Sequence, residues 1–435
     1  MTPAQPSEPA TDAANHGAQV NTLPEGSRDV YDVAIVGAGP AGSATAIHFA
    51  RAGRRVVVVD RVAFPRDKPC AEYLSPAAEP LLAELGVMDE IEATRPARLR
   101  GFRIFAPNGV VFQGDFANTP GPDGKPLFET GLAVPRLRLD AMLVRSARAA
   151  GAEVREGWRL AQLARAGGDG VWTLTPVAGQ APIHARLLVA ADGLHSTVAQ
   201  RLGLRLPGAL RKIALVAHVR GITGMGEYGE MHVAGRRYVG VAPLEPMAVG
   251  DLCNVALVVD ERRDGRALAG RPQEFLFEAL ETFPMLRGRL AKATVERRTL
   301  AVSRLNVRAK RLSDDGVLLV GDAAGYYDPF TGEGIYRGLR GAQLVFAVGQ
   351  DALSANDLSE RRLARYDRLN RHEFRGKRAI ESIIQSAVQV PPLMNRIAGT
   401  LERHKGMADA VVAVTGDFQP TSRVLNPAYL LRLVL

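Results

Sequence analysis

A chain of 435 residues, 46% hydrophobic and 23% charged, is ordinary for a folded protein but long for one core, which predicts two joined domains or one large domain with an inserted layer. The formal net charge of +9 comes mainly from arginine; no zinc-finger spacing or aromatic-interleaved basic run points to nucleic acid, which leaves genome composition, acidic substrates or a membrane surface as its source. Cys70 and Cys253, the only cysteines, exclude a disulfide framework or an iron–sulfur centre and suit a reducing compartment.

Residues 1–28 are polar and rich in small residues and proline, without the apolar stretch of a signal peptide, and read as a disordered lead-in. No apolar run approaches the roughly 20 residues of a spanning helix. The expectation is a cytoplasmic protein, with peripheral membrane association left open.

The segment DVAIVGAGPAGSATAIHFARAGRRVVVVDR, 32–61, predicts a strand, a turn with glycines at 37, 39 and 42, a helix, and a second strand ending at Asp60. That order is the context of a dinucleotide fingerprint. Gly37 permits the tight turn, Gly39 lets backbone approach a pyrophosphate, and Gly42 packs helix on strand. Asp60 would accept ribose hydroxyls, with Arg61 beside it, and a carboxylate there favours FAD or NAD over NADP.

GFRIFAPNGVVFQGDF, 101–116, predicts a hairpin around Pro107-Asn108-Gly109. Residues 134–157 predict a helix ending near Gly151 and a following strand, and 186–203 a buried strand turning at Asp192-Gly193 into a helix. GMGEYG at 224–229 repeats the glycine spacing, but strand-like sequence comes next and no helix is there to receive phosphates. It reads as a hairpin loop, so one dinucleotide is held and no second nucleotide fold exists. GVLLVGDAAG, 316–325, is again an apolar strand ending in Gly-Asp; after it Gly332 and Gly334 clear side chains so that backbone can approach a flat ligand. From about 350 the chain reads as helical, with an arginine-rich stretch most simply taken as a solvated face and an apolar end that docks on the protein itself.

The fold predicted is α/β: a Rossmann-like FAD-binding domain with an inserted antiparallel β-sheet substrate domain and a C-terminal helical region. The FAD-binding parts are 29–100, 130–205 and 300–350, the substrate sheet 101–129 and 206–299, and the helical region 351–435. No His, Cys or carboxylate cluster predicts a metal.

GAGPAG with Asp60, the Asp192-Gly193 turn, and GDAAG followed by Pro329 and Gly332-Glu333-Gly334 together resemble the single-FAD monooxygenase and reductase superfamily, with a fold like para-hydroxybenzoate hydroxylase. Within it, FPRDKPCAEYLSP and GYYDPFTGEGIYRGLRG are most similar to the geranylgeranyl reductase branch. The resemblance implies that Ala41 and Arg136, in an R-x-x-x-D-x-x-L pattern with Asp140 and Leu143, lie by the pyrophosphate. It also implies that Cys70 and Ala71 lie beside the flavin, that Asp322 holds the ribityl chain, and that Gly334 and Ile335 underlie the isoalloxazine edge. Asp192 would brace the nucleotide site.

The chemistry that the resemblance implies is that of an FAD-dependent oxidoreductase reducing a C=C bond in a hydrophobic isoprenoid, lipid or polyketide-like substrate. The alternative is a monooxygenase hydroxylating an aromatic or polyketide metabolite, with flavin halogenation through Lys68 a lesser variant and a non-catalytic electron-transfer flavoprotein a different class. The Y-x-W-x-F-P element of the reductase branch is here YVGVAP, so Tyr238, Gly240 and Ala242 are expected in the substrate pocket, with small residues replacing large aromatics. Electrons would come from NAD(P)H or a separate reductase. The catalytic acid, the substrate's identity and the oligomeric state are not legible.

Overall fold

A computed structural model describes residues 30–121, 124–166, 170–177 and 179–434; the segment expected to be a disordered lead-in lies outside them. The first strand, Val30–Val36, is buried on both faces over its C-terminal half, as a central parallel strand must be. It is flanked in parallel by Val56–Val59 and Ile183–Ala190, with Val33 in register with both Val56 and Leu187. Val317–Leu319 and Glu153–Arg155 extend the parallel set outward, and the antiparallel strands Leu160–Arg165 and Trp172–Pro176 join through Ile183–Ala190. This is a Rossmann-like layer assembled from distant parts of the chain.

Helices Pro40–Arg51 and Gly334–Ser354 cover one face of that sheet, with Ile47, Phe49, Leu339, Val345 and Val348 in one apolar core with Ile35, Val58 and Val189. Their N-termini converge: a Cβ placed on Gly338 would meet the Ala41 Cβ at 3.4 Å, and one on Gly321 would meet it at 3.0 Å.

The inserted layer is a seven-stranded sheet in the order Thr294–Ser303, Lys212–Arg220, Cys253–Asp260, Arg237–Pro243, Gly229–Ala234, Gly101–Phe105, Val111–Asp115. Alternation along its strands splits the side chains between two faces. Leu215, Val239, Val241, Val255 and Leu257 pack on the helix Pro272–Leu280, through Phe275 and Leu276. Ala214, Val216, Tyr238, Gly240, Ala256 and Val258 line a cavity on the other face.

Two expectations change here. The pairing is antiparallel except between Gly229–His232 and Phe102–Phe105, which run parallel because the 101–115 hairpin adds to the sheet edge from far upstream. The GMGEYG segment is not a hairpin loop: strands Lys212–Arg220 and Gly229–Ala234 are separated in the sheet by Cys253–Asp260 and Arg237–Pro243, so it is a crossover connection. No helix comes after it, as the sequence predicts, and Gly229 opens a strand.

Of the C-terminal helices, Glu360–Glu373 packs on helix Gly334–Ser354 and the Rossmann-like layer through Leu363 and Tyr366, while Lys377–Gln389, Pro391–Arg403, Lys405–Thr415 and Pro427–Val434 wrap the far edge of the inserted sheet. Arginines of the first pair with acids on its neighbour, as Arg362 does with Asp351 at 3.1 Å. The last helix docks on the protein through Leu433 and through Tyr429, whose hydroxyl donates to the Met407 carbonyl at 2.7 Å. No helix among the described residues is long and apolar enough to cross a membrane.

Candidate cofactor and substrate site

A single cavity with an empty volume of about 1340 Å³ runs from the glycine-rich turn to the inner face of the inserted sheet. The turn itself is over-determined. Gly37 sits at φ +103°, where a side chain is strained, and a Cβ on Gly42 would lie 1.8 Å from the Gly37 carbonyl oxygen. Gly39 is different: its open side meets only the ends of Arg66 and Arg136, at 3.5 and 3.9 Å. Space that a side chain would fill, two helix N-termini and guanidinium groups make a cradle for a pyrophosphate.

Those guanidiniums are held by one buried acid. Arg136 Nε and Nη2 donate to the Asp140 carboxylate at 2.7 and 2.8 Å, and Arg66 reaches it at 3.0 Å. Burial works against the Arg136 charge, but Asp140 and the Cys70 sulfur raise its pKa well above the usual value. Lys68 adds a further cation 3.8 Å from Asp322; burial pushes its pKa down and Asp322 offsets part of that, while Arg136 and Arg66 push it down further. An anion bound at Gly39 would relieve this crowding of positive charge. Lys68 is therefore tied to the loop side of the cavity with Asp322.

Asp60 closes the turn from below. Its carboxylate accepts from the Ala38 N–H at 2.9 Å and from the Val62 N–H at 3.0 Å, so it fixes the loop at the strand end. Arg61 is exposed and outside the cavity wall. Asp192 accepts from Ser196 Oγ at 2.5 Å and from the Thr197 and Val198 N–H groups, a brace on the next helix.

Cys70, Ala71, Asp322 and Gly332, from loops and a short turn, and Gly334 and Ile335, from the start of helix Gly334–Ser354, all line the cavity. Gly332, at φ +71°, lies where a Cβ would come within 2.7 Å of the Tyr73 ring. These residues fit a flat, anionic, dinucleotide-sized ligand: a glycine cradle, cations at one end, and a glycine-cleared loop at the other. Tyr238 and Gly240 face the same cavity from the sheet. Ala242 does not; two residues further along the strand it has passed the cavity edge and packs with Tyr73, Leu99, Phe116 and Val412, which corrects the expectation that it shapes the pocket.

Three polar assemblies border the cavity; the sequence offered Tyr238 for the pocket but did not show the networks around it or around Glu72 and Glu333. The first is centred on Glu72, fully buried and held at φ +59°, a conformation costly for a residue with a side chain. It accepts from the Arg136 N–H at 3.0 Å, Asn254 Nδ2 at 2.9 Å and Arg297 at 3.3 Å, and lies 2.6 Å from His218 Nε2. Burial pushes its pKa up, but the His218 contact and the surrounding donors outweigh that and hold it below the usual carboxylate range.

The second assembly is Tyr238, whose hydroxyl donates to Asp328 at 2.5 Å, with Lys212 at 3.2 Å from the same carboxylate. Burial raises the pKa of Asp328, and Lys212 partly opposes it. Tyr326 lies nearby on the cavity wall, its phenol held protonated by burial. The third sits behind the loop, where Glu333, at the N-terminus of helix Gly334–Ser354, meets Lys377 at 3.0 Å. Lys377 also holds Asp417 at 2.6 Å, and Arg337 lies 3.5 Å from Glu381.

No group of residues able to hold a metal ion is found among the described residues.

The sequence profile of a family described as "FAD binding domain" matches residues 30–347. A digeranylgeranylglycerophospholipid reductase of Methanothermobacter thermautotrophicus is 30% identical over 352 residues, which cover 79% of this chain and 83% of that one. A conditioned medium factor receptor of Dictyostelium discoideum is 29% identical over 421 residues, covering 92% and 79%. Among solved structures, a flavoprotein/dehydrogenase from Cytophaga hutchinsonii superposes with a TM-score of 0.79 at 19% identity, over 92% of this chain and 96% of that one. A flavin-dependent brominase superposes with a TM-score of 0.75 at 19% identity, over 89% and 93%. At such identities the structures share a fold.

Proposed function

Because the chain belongs to the FAD binding domain family, within the para-hydroxybenzoate hydroxylase-like oxidoreductases, we propose that this FAD-dependent oxidoreductase is a monooxygenase acting on an aromatic or polyketide-like substrate with a large apolar part. The observation that carries the reading is the wall facing the cofactor loops. Gly240 opens onto the cavity, with Ala214, Val216, Ala256 and Val258 around it, so the space over the loops is wide and aliphatic where a large aromatic would fill it. That shape takes a ring system lying flat.

Bound FAD supplies the redox chemistry, and the protein supplies orientation and exclusion of water. In this reading Gly39, Ala41, Arg66, Arg136 and Lys68 hold its phosphates, and Asp322 its ribityl hydroxyls. Cys70, Ala71, Gly332, Gly334 and Ile335 flank its ring. Arg136 is fixed by Asp140 and by Glu72, so the cation stays aimed without a bound anion. On the substrate side, Tyr326 presents a neutral phenol that donates to a substrate oxygen, and Tyr238, whose hydroxyl donates to Asp328, accepts from a substrate hydroxyl. Asp328 and Lys212 fix Tyr238 from behind. NAD(P)H or a separate reductase provides two electrons; one oxygen atom of O₂ enters the substrate and the other leaves as water.

Reduction of a C=C bond is the second reading, supported by the 30% identity to a digeranylgeranylglycerophospholipid reductase and by the KPC-A and TGEGI segments. The two part cleanly in one experiment. The FAD-loaded protein, reduced and then supplied with ¹⁸O₂, is incubated with a panel of alkylphenols and prenyl lipids. Label in the product supports oxygenation, whereas saturation of a double bond under strict anaerobiosis would replace it with the reductase reading.

A further inference from the structure

A second cavity, with an empty volume of about 1010 Å³, lies between the inserted sheet and the C-terminal helices. Ile380, Ile384, Ile397, Leu401, Val411 and Leu430 are on its wall. The hydroxyls on that wall belong to Thr331, Thr415 and Tyr429, and the last is spent on the Met407 carbonyl. This wall offers methyl and methylene contact with almost nothing to recognise a polar group.

The two cavities share a floor. One row of directly paired residues crosses the sheet: Val216 opposite Ala256, Ala256 opposite Gly240, Gly240 opposite Met231, Met231 opposite Ile104, and Ile104 opposite Phe112. Its first three members line the cofactor cavity, its last two line the second cavity, and Met231 lines both. A Cβ on Gly240 would touch the Met231 Cε at 3.5 Å, so the thioether end lies over the glycine. On the other side of the partition, Phe330 of the cofactor loop packs edge-on against Tyr238 at 5.0 Å. Phe330 faces the second cavity and Tyr238 the first. The cofactor loop forms part of the barrier, with Pro329 on the first cavity and Phe330 and Thr331 on the second, and over the sheet its member is the side chain of an unbranched methionine that changes rotamer at little cost.

We propose that the second cavity is the tail compartment of the substrate site: it takes a linear aliphatic or isoprenoid chain whose head lies over the cofactor loops, and Met231 is the movable partition between them. The inference rests on the reading that the first cavity takes the substrate. Continuity with that cavity through one row of paired residues identifies the occupant as part of the same molecule.

The test titrates FAD-loaded protein with 4-ethyl-, 4-octyl-, 4-dodecyl- and 4-hexadecylphenol, reading binding from the visible absorbance of the flavin. Affinity is expected to rise steeply with chain length, by roughly threefold to fourfold per buried methylene, until the compartment is full. Met231→Trp should remove that rise while FAD content stays as in the parent. Ile384→Trp, inside the compartment and away from the cofactor, should shorten the longest chain accepted. Equal affinity along the series, or an equal rise in both variants as expected for mere partitioning, would overturn the tail compartment while leaving the first cavity's role intact. Absence of any flavin perturbation, with ethylphenol as with the rest, would overturn the aromatic-substrate reading and the compartment with it.

Discussion

Glu72 and His218, 146 residues apart in sequence, meet at 2.6 Å beside the cofactor cavity, and the same carboxylate positions the Arg136 backbone. A substitution to glutamine keeps the shape but turns one acceptor into a donor, so Arg297 and His218 lose their shared anion. Removing one partner of a buried ionic assembly costs about 3 to 5 kcal/mol. Glu72→Gln should therefore lower the unfolding free energy by about 3 kcal/mol, read from urea denaturation of the FAD-free protein. An unchanged midpoint would show that the four contacts to Glu72 carry no net stability.

The two glycines at 39 and 42 separate by what a side chain on each would meet. A methyl group on Gly42 would sit 1.8 Å from the Gly37 carbonyl oxygen, which belongs to backbone and cannot rotate away. Gly42→Ala should expel the helix from the turn and abolish FAD retention, measured as flavin absorbance per protein after gel filtration. Gly39→Ala, where the nearest atoms are the flexible ends of Arg66 and Arg136, should fold normally and weaken FAD affinity without abolishing it. Equal FAD content in both variants would contradict the different jobs assigned to the two glycines.

Gly240 invites the opposite kind of change. Its missing Cβ faces only the Met231 methyl, and it sits in regular strand backbone, so Gly240→Ala should change stability by less than about 1 kcal/mol. Gly240→Trp would refill the space over the cofactor loops. It should leave FAD content unchanged and weaken alkylphenol binding at least about tenfold at every chain length. That pattern separates it from Ile384→Trp, which selects against long chains alone.

The strand-turn-helix around Gly37 to Gly42 and the Gly-Asp strand end at Asp322 were legible because each is local: spacing, apolar run and acid fall within one short segment. The pocket position of Tyr238 and Gly240 came from the resemblance of YVGVAP to a Y-x-W-x-F-P element, but where the strand leaves the cavity did not, so Ala242 was placed one step too far. Neighbours in a sheet are likewise invisible to pattern. GMGEYG is followed by a strand and not a helix, as the sequence indicates, yet two other strands lie between its flanking strands in the sheet. The Glu72 assembly draws on partners 64, 146, 182 and 225 residues away, and no spacing rule reaches that far. Its one local trace was an acid inside KPCAEYLSP, a motif read for its cysteine. The tail compartment is hidden for the same reason, since its walls come from the edge hairpin, the cofactor loop and helices at the far end of the chain.

The acids behind the cofactor loop make stability depend on pH in a predictable direction. Burial pushes Asp417 and Glu381 up to about 8 from ordinary values of 3.8 and 4.5, with the Glu333 charge adding to the rise in both. Lys377 opposes it at Asp417 and Arg337 at Glu381, and Asp328 adds to it at Glu381. Folded protein thus keeps protons that the unfolded chain releases. Stability from these two groups is greatest below pH 4, declines as pH rises toward 8, and levels off above it. Glu333 works in the reverse sense. Burial alone would raise it, but Lys377 and Arg337 push it down to about 2, so its contribution is present above pH 4.5 and lost as pH falls toward 2. The sum places maximum stability on the acid side of neutrality. Asp417→Asn suits the left-handed backbone at that position, φ +69°, and keeps a neutral group where the folded protein prefers one. Thermal unfolding of the parent should fall by several degrees between about pH 5.5 and pH 8.5, and Asp417→Asn combined with Glu381→Gln should flatten most of that fall. A decline that persists unchanged in the double variant would mean that other groups, and not this buried cluster, release the protons.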